Sequence, residues 1–166
     1  MERGEMKELI LIRHGKAEKR GTVFPDRNRR LVLKGINQLN KDIPFLGKYL
    51  KNKQAVYLWS SGITRAIETA RIIKDICNID KIETCEFIET GDYDELTDKL
   101  SKTEDNCTII VVGHEPDLSE WTYRFCEKNV IIKKGCALLI EIHQVDQGSG
   151  KMRWIAEPGE YQEKIV

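Results

Sequence analysis

The sequence predicts an α/β fold, a three-layer α/β/α sandwich around a mainly parallel sheet that ends in an antiparallel hairpin. Short continuous apolar runs at Glu8–Arg13, Ala55–Trp59 and Thr108–Val112 have the length and composition of strands buried on both faces. Between them, apolar residues recur at steps of three and four, the helical period. Strands alternating with helices indicate a layered α/β domain with parallel strands. After residue 136 the pattern changes to two strand-like runs, Ala137–His143 and Met152–Ala156, separated by Gln147-Gly-Ser-Gly150. That is a hairpin signal.

Each element follows in turn. The first strand leads into a polar loop, Gly15–Arg30, containing Gly21 and Pro25. Ile36, Leu39, Ile43, Leu46 and Leu50 then mark a helix from about residue 32 to 50, and Pro44 is expected to kink or divide it. Ser60-Ser-Gly62 ends the second strand. Ile63, Ala66, Ile67, Ala70, Ile73 and Cys77 form the stripe of a second helix. A weak strand is expected over Ile82–Phe87 and a short helix over Tyr93–Lys102. Thr108–Val112 is the clearest strand, broken by Gly113-His-Glu-Pro116. Pro116 suits the first turn of a helix running to about Glu127.

A chain of 166 residues and 19.2 kDa is one ordinary domain, residues 1–166, with no repeat or linker to divide it. Lys plus Arg equals Asp plus Glu at 27 each, whereas nucleic-acid binders usually carry a basic excess. No nucleic-acid partner is therefore expected. No apolar run approaches the roughly 18 residues of a membrane span, and Met1–Lys7 is charged, unlike a signal peptide. The cysteines, Cys77, Cys85, Cys107, Cys126 and Cys136, are odd in number and lack C-x-x-C spacing. They read as small buried hydrophobes of a cytoplasmic protein.

Chemistry gathers at strand ends. Of three histidines, His14 and His114 directly follow the two strongest buried strands, and a third strand leads into Arg65. Parallel strands would bring Arg13, His14, Arg65 and His114 to one sheet edge, where functional loops of such folds lie. A neutral imidazole is a nucleophile toward phosphorus. Arginine forks hold phosphate oxygens, and a second imidazole could donate to another. Phosphoryl transfer needs this positioning and charge stabilisation. Arg65 at a helix start would be offset by a bound phosphate there; alone, it reads as a surface arginine pairing with Glu68 at i+3. The run Arg27–Arg30 is either a solvated loop or a cationic rim for an anionic substrate. His143, on a hairpin strand, reads as structural. No H-E-x-x-H or carboxylate cluster suggests a metal.

Three segments carry a resemblance to a known family. Leu11-Ile-Arg-His-Gly-Lys-Ala17, Ser60-Ser-Gly-Ile-Thr-Arg-Ala-Ile-Glu-Thr-Ala70 and Val111-Val-Gly-His-Glu-Pro116 resemble, in order, three motifs of the histidine phosphatase superfamily, with its phosphoglycerate mutase-like fold. Arg-His-Gly-Lys-Ala, the segment Arg29–Gly35 and the short length are most similar to the SixA-type phosphohistidine phosphatases. The resemblance implies that His14 becomes phosphorylated while Arg13, Arg65 and His114 clamp the phosphoryl oxygens; Arg29, read as part of the cationic rim, is an added candidate substrate contact. It implies no metal and no organic cofactor. Mutases and fructose-bisphosphatase relatives usually carry an asparagine where Arg20 stands here, which argues against those activities. Larger relatives use a glutamate general acid after the third strand; Glu86, Glu89 and Asp92 fall in that region.

The expected function is a phosphatase working through phosphohistidine on His14, its substrate phosphohistidine on a phosphotransfer protein. The alternatives are a small-molecule phosphomonoesterase and a catalytically silent module that binds phosphoprotein.

Overall fold

The computed structural model describes residues 6–145 and 148–166; the charged start Met1–Glu5, and Gln147 of the anticipated hairpin turn, lie outside the described residues. The chain begins with β1 (Lys7–Arg13), passes a 3-10 turn at Asp26–Asn28, and continues as α1 (Leu33–Leu50), β2 (Val56–Ser60), α2 (Thr64–Cys77) and β3 (Glu83–Thr84). Then come α3 (Glu86–Thr90), α4 (Tyr93–Ser101), β4 (Thr108–Gly113), α5 (Asp117–Cys126), β5 (Ala137–Ile142), β6 (Gly150–Ala156) and α6 (Tyr161–Lys164).

Among the described residues the sheet has six strands in the order β3-β2-β4-β1-β5-β6. The first four are mutually parallel, while β5 runs antiparallel to β1 and β6 antiparallel to β5. Successive side chains of a strand point to opposite faces, and β1 shows why it is apolar throughout. Leu9 and Leu11 pack with Leu96, Trp121 and Phe125 from α4 and α5, whereas Ile10 and Ile12 pack with Leu39, Ile43, Ala66 and Ile73 from α1 and α2. Helices therefore cover both faces. All four β1 residues are fully buried, worth about 1.5–3 kcal/mol each in removed apolar surface.

Three expectations change. Pro44 does not divide its helix; α1 is continuous from Leu33 to Leu50. Proline removes one helical N–H, but the carbonyl that loses its donor belongs to exposed Asn40, and Ile43, Leu46 and Leu50 hold the helix to the sheet. The third strand shrinks to Glu83–Thr84, which pairs only with Trp59 and Ser60. The residues after it turn into α3, burying Phe87 and Ile88. The loop after β1 is more ordered than its polarity implied, with Ala17 bridging to Leu31.

Among the described residues, no helix is long and apolar enough to cross a membrane. All five cysteines are free, and burial pushes the Cys85 and Cys126 thiols up to about 11 and those of Cys77 and Cys136 to about 12.

Candidate active site

Strand register sets the site. Arg13 lies level with Gly113 across β1–β4, and Ser60 with Val112 across β2–β4. His14, Ser61 and His114 thus step off adjacent strand ends together. The two imidazole centroids are 5.3 Å apart.

The backbone around His14 is fixed from three sides. Gly15 N–H donates to Thr69 Oγ1 at 3.1 Å, and that hydroxyl donates to the Arg65 carbonyl at 2.8 Å. Gly135 N–H donates to the carbonyls of Arg13 and His14 at 3.1 and 3.0 Å. The Lys16 carbonyl accepts from Val32 N–H at 3.1 Å and packs directly on Gly35, where a Cβ would stand 2.3 Å from it. No side chain fits there, which gives that glycine its reason.

His14 Nδ1 is 2.8 Å from the Gly15 carbonyl. A carbonyl only accepts, so Nδ1 carries the proton and Nε2 keeps its lone pair. Burial, opposed by that hydrogen bond and reinforced by His114, Arg65 and Arg13, lowers the His14 pKa to about 3. The lone pair is free at neutral pH.

His114 is 9% exposed, its Nε2 2.8 Å from Ser61 Oγ. The serine oxygen already accepts from Ile63 N–H at 3.1 Å. We assign the serine hydroxyl as donor to His114 Nε2, which then accepts, with Nδ1 as the N–H. That Nδ1 is buried and has no hydrogen-bond partner. Burial, with Arg65 next, lowers the His114 pKa to about 4, so the ring is neutral.

Arg13 Nη1 donates to the Ile132 carbonyl at 3.0 Å, and Arg65 Nη1 lies 3.5 Å from the Asp26 carboxylate. Burial lowers both pKa values from the ordinary arginine value, though guanidinium remains charged. The Nε atoms of both are buried without a partner. With His114 Nδ1, these make three buried unpartnered nitrogens, all on residues whose charges act on His14.

The expected pairing of Arg65 with Glu68 does not form. Glu68 instead receives Leu31 N–H at 2.8 Å and Arg30 Nε at 3.3 Å. The solvated-loop reading also fails for Arg29, which is 4% exposed: it donates to Asp26 Oδ1 at 2.7 Å and to the Glu18 carbonyl at 2.6 Å. Its charge bears on Arg65 and His114 from close by. Arg30 is exposed.

The three carboxylates separate. Glu86 is exposed on α3. Asp92 caps α4 by accepting from Glu95 N–H at 3.1 Å. Glu89 is half-buried, pairs with Arg27 Nη1 at 2.8 Å, and its charge acts on His114. His143 pairs with Glu141 at 2.9 Å on the hairpin. Sequence reasoning passed over Ser61, Thr69 and Asp26. Two hydroxyls flanking Arg65, one of them at a strand end, were the available signal for the first two; Asp26 had none. Among the described residues, no cluster of three or more His, Cys, Asp or Glu side chains is placed to hold a metal.

The profile of the histidine phosphatase superfamily, branch 1, matches residues 9–110, more than half of the chain, including His14 and Arg65. The chain belongs to the histidine phosphatase superfamily. It is an enzyme of the phosphatase type. No curated protein matches it by sequence. Among solved structures, this histidine phosphatase superfamily member is similar to the protein histidine phosphatase SixA complexed with tungstate, with a TM-score of 0.73, 19% identity, and 91% and 97% of the two chains covered. A protein assigned as a SixA phosphohistidine phosphatase from Agrobacterium tumefaciens gives a TM-score of 0.75 at 13% identity, with 91% and 97% covered. Phosphoglycerate mutase from Plasmodium falciparum gives 0.65 at 18% identity, with 94% and 92% covered. At these identities the likeness establishes the phosphoglycerate mutase-like fold.

Proposed function

We propose that the protein hydrolyses phosphoryl groups through a covalent intermediate on His14 Nε2, and that its substrate is phosphohistidine on a phosphotransfer protein. The observation that carries the mechanism is the Nδ1–H···O=C bond of His14, which leaves Nε2 unprotonated to act as the nucleophile. Its lone pair forms the new N–P bond while the bond from phosphorus to the leaving group breaks. Arg13, Arg65 and His114 Nδ1–H hold the three peripheral oxygens, on which charge is spread in such a transition state. Water then attacks phosphorus, the P–Nε2 bond breaks, phosphate departs and His14 is regenerated.

The substrate class is supported by the carboxylates. With Glu86 exposed and Asp92 committed to a helix cap, two of the three candidates for a general acid are poorly disposed to donate. A departing imidazole needs less protonation than a departing alcohol. The likeness to the histidine phosphatase SixA and to the Agrobacterium tumefaciens protein assigned to the same kind supports this choice. Glu89 favours a second reading, a small-molecule phosphomonoesterase, because its charge lies near His114, where an acid for an alcohol leaving group belongs.

The test is rapid quench into alkaline denaturant with a radiolabelled phosphohistidine peptide. Label is expected to pass to the protein as an acid-labile, alkali-stable adduct and then to appear as phosphate, with no adduct in His14→Ala. Hydrolysis of an ester without peptide turnover would establish the second reading instead. No reaction with either would indicate a silent phosphoprotein-binding module.

A further inference from the structure

A second cleft opens at the same edge of the sheet. Its volume is about 560 Å³, and it shares Arg13 and Gly15 with the phosphoryl site. Buried Leu39 and Gly35 of α1 line it on one side, and Pro158 on another. Lys16, Lys34, Lys133 and Lys134 contribute its cations beside Arg13.

Its two carboxylates are already engaged. Asp42 accepts from Gln38 Nε2 at 3.0 Å and from Gly159 N–H at 3.2 Å, and Glu157 pairs with Lys133 at 3.4 Å. Lys16, Lys34 and Lys134 are exposed and form no ion pair among the described residues. Positive charge is thus concentrated here in a chain of zero formal net charge. Partial desolvation, then Arg13, Arg29, Arg20 and Lys16, hold the Lys134 pKa below the ordinary lysine value.

Three large apolar side chains are exposed in the segments that carry cleft or site residues. Phe24, Leu33 and Ile131 are 80%, 72% and 79% exposed. Phe24 is two residues from Asp26, which touches Arg65; Leu33 adjoins Lys34; Ile131 adjoins Ile132, whose carbonyl takes Arg13. Large apolar groups left exposed in segments that carry site residues suit a macromolecular contact. Unpaired cations beside them select an anionic one.

We propose that this rim docks an acidic protein surface, which sets carboxylates into the lysine cleft and apolar side chains against Phe24, Leu33 and Ile131 while its phosphorylated side chain reaches His14. The inference rests on the phosphohistidine reading above and names what else the partner must present. A small ester would engage the clamp alone. A bilayer would meet the lysines as a flat plane, whereas a concave cleft cups individual side chains.

The test uses two synthetic peptides, each with one phosphohistidine. One is flanked by Asp, Glu and Leu; the other carries Asn and Gln in place of the acids. The native protein is expected to show a KM about tenfold lower for the acidic peptide, a preference that fades in high salt. Lys34→Glu combined with Lys134→Glu is expected to abolish the preference while still hydrolysing a chromogenic ester. Equal KM values for the two peptides, or a preference that survives the double substitution, would overturn the docking proposal and leave the phosphohistidine reading standing. Ester hydrolysis with neither peptide turned over would overturn both. Sedimentation with phosphatidylserine vesicles, lost in the double variant and accompanied by no peptide preference, would reassign the rim to a lipid surface.

Discussion

Replacing Ser61 with alanine tests how the second imidazole is prepared. Ser61 is fully buried, and in the assignment above its hydroxyl donates to His114 Nε2 across a 2.8 Å contact, with Nδ1 as the N–H. Without it, Nε2 is a buried nitrogen with no partner, a cost of about 1–3 kcal/mol. The ring can then move its proton to Nε2 and turn a lone pair toward the phosphoryl oxygens. Losing one preorganised donor at a developing anion typically lowers kcat by about 10²–10³, or ~2.7–4 kcal/mol. Ser61→Ala is therefore expected to slow phosphorylation of His14 by about that factor, with KM changing much less. Rapid quench measures the step directly. Nitrogen-15 NMR of labelled histidine reads the tautomer of His114, which a general loss of packing would not switch. A variant within threefold of the native rate, with His114 still protonated at Nδ1, would refute the assignment.

Four further expectations follow from the same geometry. With His14 lowered to about 3 and His114 to about 4, the acid limb of kcat/KM, corrected for ionisation of the substrate phosphate, should lie below pH 5 and not near the free histidine value of about 6.5. The same depressed values mean that the unfolded chain binds more protons between pH 6.5 and the folded pKa values, so chemical denaturation should show stability full above pH 6.5 and falling as pH drops toward 4 and 3. Glu89→Gln should lower turnover of an alkyl phosphate at least tenfold and leave phosphohistidine cleavage within about twofold, the reach of general acid catalysis being about 10²–10⁴; equal losses on both substrates would remove Glu89 as the acid. Gly35→Ala should displace the Lys16 carbonyl and with it the His14 loop, lowering kcat while the unfolding free energy from chemical denaturation falls by roughly 1–3 kcal/mol through overpacking; an unchanged kcat would show that the loop is not held from α1.

The strands were legible because burial on both faces leaves no polar gap in β1 or β4, and α2 because its stripe repeats at the helical period. His14, Arg65 and His114 were legible because parallel strands bring their carboxyl ends together whatever the loops do. What escaped the sequence depends on contacts between distant segments. Arg65 is released from Glu68 only because Leu31 and Arg30 arrive from another loop to occupy that carboxylate. Arg29 can be buried only because Asp26 and the Glu18 carbonyl meet its guanidinium in a segment without periodicity. Ser61 gained meaning once strand register placed it against His114. The end of β3 was invisible for the opposite reason, since Phe87 and Ile88 are apolar in either a strand or a helix.

The loop bearing the proposed nucleophile lies near the start of the chain, yet Gly135 N–H grips the carbonyls of Arg13 and His14, and Tyr161 donates to the Gly135 carbonyl at 2.7 Å. During synthesis, β1 therefore leaves the ribosome long before the segment that secures its end. The brace on this loop is therefore completed late, when Tyr161 is in place, and a chain stalled before Tyr161 would hold its histidines and arginines without that hydrogen bond.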